Sequence, residues 1–128
     1  MSTEEFLKSK NDYNSKISAL KDEVRNIEKE RNAIEDEYIA EHREFQNGDL
    51  VNVKHGSAQI SEQAYISSAS QYDGIIFYRF LKVKKDGKPS SFKLYVEQNI
   101  YSWVKFPVTI ELINTEYRNK NFDGTPIT

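Results

Sequence analysis

Between Arg79 and Lys93 six basic side chains stand against one acid, Asp86, with Phe77, Tyr78, Phe80, Phe92 and Tyr95 around them. Cations neutralise phosphate and aromatic rings stack on bases, so this mixture has the chemistry that a single-stranded nucleic acid requires. The candidate ligand face is Tyr78, Arg79, Phe80, Lys82, Lys84, Lys85, Lys88, Lys93 and Tyr95. A structural reading of the same residues is stronger. Lysines on an exposed edge hairpin discourage sheet-to-sheet pairing, and half of the rings are needed to fill a small core.

Catalytic chemistry finds little support. In His55-Gly56-Ser57 the serine would need a base, an orienting acid and an oxyanion site, and adjacent residues of a turn rarely align that way. The other histidine, His42, stands alone among helical residues, so no metal site is expected. The absence of cysteine excludes thiol catalysis, disulfides and Cys-ligated zinc. Glycines 48, 56, 74, 87 and 124 occur singly, without the clustering of a phosphate loop. The expectation is a non-enzymatic protein with no cofactor.

These residues require elements to hold them. After Asn47-Gly48 apolar positions alternate, and strands are expected at 49–54, 58–66, 75–84, 91–97, 100–105 and 108–113. Asp86-Gly87 suits a type I′ turn. A two-residue loop there would pair Leu81 with Phe92, Arg79 with Leu94 and Phe77 with Val96 on a core face. Tyr78 would then oppose Tyr95, and Phe80 would oppose Lys93, on the ligand face. Pro89 cannot donate to a ladder, which places it on an edge strand.

Before the strands comes a heptad pattern from Phe6 to Phe45. Its a and d sites are Phe6, Lys10, Tyr13, Ile17, Leu20, Val24, Ile27, Arg31, Ile34, Tyr38, Glu41 and Phe45, nine of the twelve apolar. Ser2 with Glu5 forms a capping box, and no Pro or Gly intervenes before Gly48, so one helix is expected over 3–45. At 1.5 Å per residue it would extend roughly 60 Å, about twice the diameter of a domain built from the remaining residues. Another helix must cover part of the seam formed by Tyr13, Ile17, Leu20, Val24, Ile27, Arg31, Ile34 and Tyr38. A parallel homodimer would set Lys16 by Lys21, Glu23 by Glu28 and Glu30 by Glu35, all repulsive, so charge favours antiparallel self-association or a foreign helix.

Residues 1–44 carry eight Lys or Arg against twelve Asp or Glu, and residues 45–128 ten against eight, a balance too even to imply a polyanionic partner. The first residues are acidic and lead into no apolar run, and no window has the apolar length of a membrane span. A cytoplasmic or virion-associated protein is expected, with no membrane partner. Three regions follow: a coiled-coil helix over 1–46, a small β-barrel over 47–113, and a polar C-terminal arm or tail over 114–128, whose Tyr117, Phe122 and Ile127 offer a latch.

The run Gly48-Asp49-Leu50-Val51-Asn52-Val53-Lys54 resembles the opening strand of SH3-like barrels, including the KOW type, where a Gly-Asp turn delivers an alternating apolar strand. That resemblance implies a barrel and carries no function. Lys82-Val83-Lys84-Lys85-Asp86-Gly87-Lys88-Pro89-Ser90 is similar to hairpins of small phage and mobile-element proteins. The fold expected is α+β, a long coiled-coil helix followed by a small antiparallel SH3-like barrel. The function expected is oligomeric assembly or adaptor work toward a protein partner, with nucleic-acid binding through hairpin 77–95 as the alternative.

Overall fold

The computed structural model describes residues 1–98 and 107–120. It is an α+β chain: helix α1 (Thr3–His42) precedes β1 (Leu50–His55), β2 (Ile60–Tyr72), β3 (Ile75–Val83), β4 (Pro89–Leu94) and β5 (Thr109–Asn114). The chain divides into two compact units, 1–38 and 39–128.

The capping box starts α1. The Glu5 amide donates to Ser2 Oγ at 3.2 Å, and the Ser2 amide donates to Glu5 Oε2 at 3.4 Å. The helix stops at His42, three residues before the expected end, because the second unit takes hold of the chain there. Tyr78 Oη accepts the Glu44 and Phe45 amides at 2.9 and 3.3 Å, and Arg43 Nε donates to the Phe45 carbonyl at 2.7 Å. Phe45, the last position of the heptad, is buried edge-on against Tyr78 in the core of the sheet. Gly48 then turns the chain with φ 89°, and a Cβ there would lie 1.9 Å from the Tyr117 carbonyl oxygen, so no other residue fits.

All strand pairs are antiparallel, in the order β4-β3-β2-β1-β5. Among the described residues no ladder joins β4 to β5, and the sheet is not closed. β2 continues to Tyr72, well past the expected end at 66, and turns into β3 through Asp73 (φ 49°) and Gly74 (φ 82°), the tight Asp-Gly hairpin of the molecule. A bulge between Ile66 and Ser68 adds one residue to β2 and bends it.

At Asp86-Gly87 the connection is longer than two residues. Gly87 N donates to the Lys84 carbonyl, Lys84 N to the Lys88 carbonyl and Lys88 N to Asp86 Oδ1, which closes a loop over 84–88. The register therefore differs by one residue from the expected pairing: Phe80 faces Leu94 and Leu81 faces Lys93. A one-residue slip exchanges sheet faces. Pro89 opens the edge strand β4, where its missing N–H costs no ladder bond.

Two apolar clusters lie on opposite faces of the sheet. One contains Phe45, Val51, Val53, Ala64, Ile66, Tyr78 and Phe80, with Leu94, Val96, Val108 and Ile110 packed on it. The other contains Leu50, Tyr65 and Leu81, with Val83 and Tyr117. Asn114 closes β5 instead of opening a loose arm, and residues 117–119 are tied to the sheet. Tyr117 packs edge-on against Tyr65 at 5.6 Å, the Asn119 amide donates to the Asn47 carbonyl at 2.7 Å, and Arg118 grips Asp49. Asn114 and Asn119 serve turn chemistry here: Asn114 Oδ1 accepts the Glu116 amide at 3.3 Å, and Asn119 has φ 55°. Phe122, Ile127 and the expected strand at 100–105 lie outside the described residues.

Candidate functional site

Two surfaces carry the residues singled out from sequence: one side of α1, and a cleft beside β3. They belong to separate units.

No residue of α1 is buried. Phe6, Tyr13, Ile17, Leu20, Val24, Ile27 and Ile34 are 49–68% exposed, far above what apolar side chains show in a core. Arg31 is exposed as well, and Tyr38 is half-buried. Lys16 Nζ stands 5.4 Å from the centre of the Tyr13 ring, a cation–π contact along the stripe. An apolar stripe at a/d spacing thus lies exposed along a 40-residue helix.

The cleft, of about 650 Å³, lies where the β2 bulge, β3 and the segment from Lys93 to Gln98 meet. Tyr78, Arg79, Phe80, Lys93 and Tyr95 of the expected ligand face line it, while Lys82, Lys84, Lys85 and Lys88 are exposed outside it. Burial decides what these rings can do. Tyr78 and Phe80 belong to the main core, 8% and 2% exposed, and cannot stack on a base. Tyr95 is 84% exposed, and Phe77, half-buried, is the other ring of the cleft outside the buried cluster. Arg79 and Lys93 supply cations, and Glu97 sets a carboxylate against them.

Gln98 completes the cleft and is not among the residues singled out from sequence. Its Oε1 accepts the Tyr78 amide at 2.9 Å, and its Nε2 donates to the Tyr78 carbonyl at 2.7 Å. One side-chain amide thus does what a neighbouring strand would do, at the point where β4 has ended and the β3 edge needs partners. Nothing in the type or spacing of Gln98 signals this; it depends on where β4 stops.

His55 Nε2 meets Glu62 Oε2 at 2.8 Å across the β1–β2 ladder, and Ser57 is exposed in the following loop, so the histidine is engaged away from the serine. Among the described residues no three His, Asp or Glu side chains converge, and no helix is long and apolar enough to cross a membrane.

Asp49 is the fully buried acid of the sheet. Its carboxylate accepts Arg118 Nε at 2.7 Å, Arg118 Nη2 at 2.8 Å and the Gln46 amide at 2.9 Å. The hydrogen bond to Asp49 raises the Arg118 pKa above its ordinary value. Burial lowers that of Arg43, against the opposing pull of Tyr78 and Asp49. Both arginines secure the turn that leads into β1.

The chain matches no family model, no curated protein and no solved structure.

Proposed function

We propose that this chain is a non-enzymatic assembly or adaptor protein, in which α1 forms a coiled coil with another helix and the second unit presents a barrel-like surface to a protein partner. The observation that carries the reading is the apolar stripe of α1, about half or more exposed from Phe6 to Ile34 on a helix with no buried residue. Exposed apolar area of that extent and period is stable when a second helix removes it from water, at roughly 25 cal/mol per Å². The bulge in β2 and a core drawn from all five strands support the SH3-like description of the second unit.

Sedimentation of the full chain over a range of concentrations tests it. The expected outcome is a mass at least twice that of the 14.9 kDa chain in the micromolar range. A monomer at high micromolar concentration refutes self-assembly.

A second reading has its own observation: Arg79, Lys93 and the exposed Tyr95 share one cleft, the arrangement that holds a phosphate beside a stacked base. Replacing Arg79 and Lys93 of the cleft together with Lys82, Lys84, Lys85 and Lys88 by Ser separates the readings. If the lysines protect an edge, solubility falls and assembly is unchanged. If they bind nucleic acid, wild-type affinity for oligonucleotides is steeply salt-dependent, and the variant has a smaller log–log salt slope.

A further inference from the structure

We propose that α1 pairs with α1 of a second copy in one antiparallel register, with residue i of one helix level with residue 51 − i of the other. This inference rests on the self-association reading above and adds the partner, its direction and its alignment.

Three positions of the stripe are not apolar: Lys10, Arg31 and Glu41. A buried charge without a partner is costly, so the preferred alignment is the one that pairs these side chains or lets them reach solvent. An antiparallel coiled coil packs each a residue against a d residue of its mate. In the proposed register Lys10 faces Glu41 of the partner helix, Tyr13 faces Tyr38, Ile17 faces Ile34, Val24 faces Ile27, and Arg31 lies over Leu20, from which its long side chain reaches solvent. The two oppositely charged core positions neutralise each other. Like-sized residues meet in the remaining layers.

The flanking positions agree. At the e sites Lys21 lies beside Glu28 of the partner, and at the g sites Lys16 lies beside Glu37; the two-fold axis makes each contact twice. Glu23 beside Glu30 is the one like-charge pair. Sliding by one heptad in one direction puts Lys10 against Ile34 and Lys21 against Lys21. Sliding in the other puts Glu41 against Ile17 and Glu28 against Glu28. The parallel alternative has three repulsive pairs and no compensating one. Residues 9–42 overlap in the proposed register, which covers Tyr13 to Tyr38 completely and leaves Phe6 at the end of the contact.

The chain has no cysteine, so single spin labels can be placed without background. Asp12→Cys and Asn26→Cys occupy equivalent c positions, away from the stripe. In the proposed register two labels at 26 sit side by side, and two labels at 12 are separated along the axis by 27 residues, about 40 Å at 1.5 Å per residue. A heptad slip changes the separation at 12 to about 30 or about 50 Å. A parallel pair gives the same short distance at both sites. Short at 26 with about 40 Å at 12 supports the inference. Equal short distances, or either slipped value, overturn it while leaving self-association standing. Absence of any inter-label distance in a monomeric protein refutes the self-association reading itself.

A charge exchange provides a second readout. Lys21→Glu sets a second carboxylate against Glu28 of the partner and weakens association roughly tenfold, and adding Glu28→Lys restores it. In a parallel pair Lys21→Glu removes the Lys16–Lys21 repulsion and tightens association instead. Tightening by the single substitution therefore rejects the antiparallel register.

Discussion

α1 and the sheet are built from the same apolar side chains used in opposite ways. In the sheet, Val51, Val53 and Ala64 are fully buried, and every large residue of the main cluster has neighbours from other strands. In α1, Val24 and Ile27 are more than half exposed. Charge repeats the contrast. Asp49 and Arg118 form a two-bond ion pair with the carboxylate entirely out of water, whereas Asp22 and Arg25 meet at 3.3 Å with both side chains about two-thirds exposed. The first pair fixes a chain junction and the second is worth a few tenths of a kcal/mol. The sheet buries its apolar side chains within the chain, and the helix leaves its own exposed. A substitution that is severe in one unit should therefore be mild in the other.

The largest effect on the folding of the sheet is expected at Phe80, which is 2% exposed and packed in the main cluster. Phe80→Ala should cost about 3–5 kcal/mol. The same change at Phe6, 51% exposed on α1, should move the unfolding midpoint of the sheet by less than about 0.5 kcal/mol. Chemical denaturation followed by near-ultraviolet circular dichroism compares the two, and similar losses would mean that the units are not independent in stability.

Asp49 comes next. Asp49→Ala strands the Gln46 amide and removes both bonds to Arg118, at a cost of about 2–3 kcal/mol. Because Arg118 and the Asn119 amide together hold the final turn against Asn47, the change should also expose that segment to limited proteolysis. Asp22→Ala in α1 is the matched control, with no measurable loss.

Legibility in the sequence follows the range of the forces involved. The helix start is readable because Ser2 and Glu5 act across one turn, and the heptad stripe because its period is local. The end of α1 is not, since Tyr78, more than thirty residues away, takes the Glu44 and Phe45 amides just past His42. β1, β3 and β5 fall close to their expected spans. β2 is longer than expected because Ser67, Ser68 and Ser70 have the chemistry of a loop, although Asp73-Gly74 carries the stronger turn signal. The register step at 84–88 moves Lys93 from opposite Phe80 to opposite Leu81, whereas Tyr78 and Phe80 are in the core because their face of β3 is the one that packs with Val51, Val53 and Ile66. Gln98 and the Asp49–Arg118 pair are long-range satisfactions of buried polar groups, and no local pattern encodes them.

Tyr65 offers a smaller effect with a pH signature. Its hydroxyl donates to the Gly87 carbonyl at 2.5 Å, pinning the 84–88 loop, and Tyr65→Phe should cost about 1 kcal/mol. Burial pushes the Tyr65 pKa upward, with Tyr117, Glu116 and Asp86 adding to it. A folded value above the unfolded one means that its contribution is complete below about pH 10 and is lost as pH rises through the folded value. Wild-type stability should therefore fall with pH above about 10 more steeply than that of Tyr65→Phe. Parallel alkaline slopes for the two proteins would remove Tyr65 from this role.

The smallest effect on the sheet is expected from a substitution that should abolish assembly. Ile27 is 57% exposed in the isolated chain, so Ile27→Asp meets water there and leaves the sheet's unfolding midpoint within about 0.5 kcal/mol of wild type. In the assembled state the same aspartate would stand in the middle of the apolar stripe, facing Val24 of the partner helix. An unpaired carboxylate buried in that position costs several kcal/mol, enough to shift association by two orders of magnitude or more. Sedimentation should find the variant monomeric where wild type is assembled, with the β-sheet signal of circular dichroism retained. An assembled Ile27→Asp protein would show that the stripe is not the contact surface, and loss of the sheet signal would show that helix and sheet depend on each other for folding.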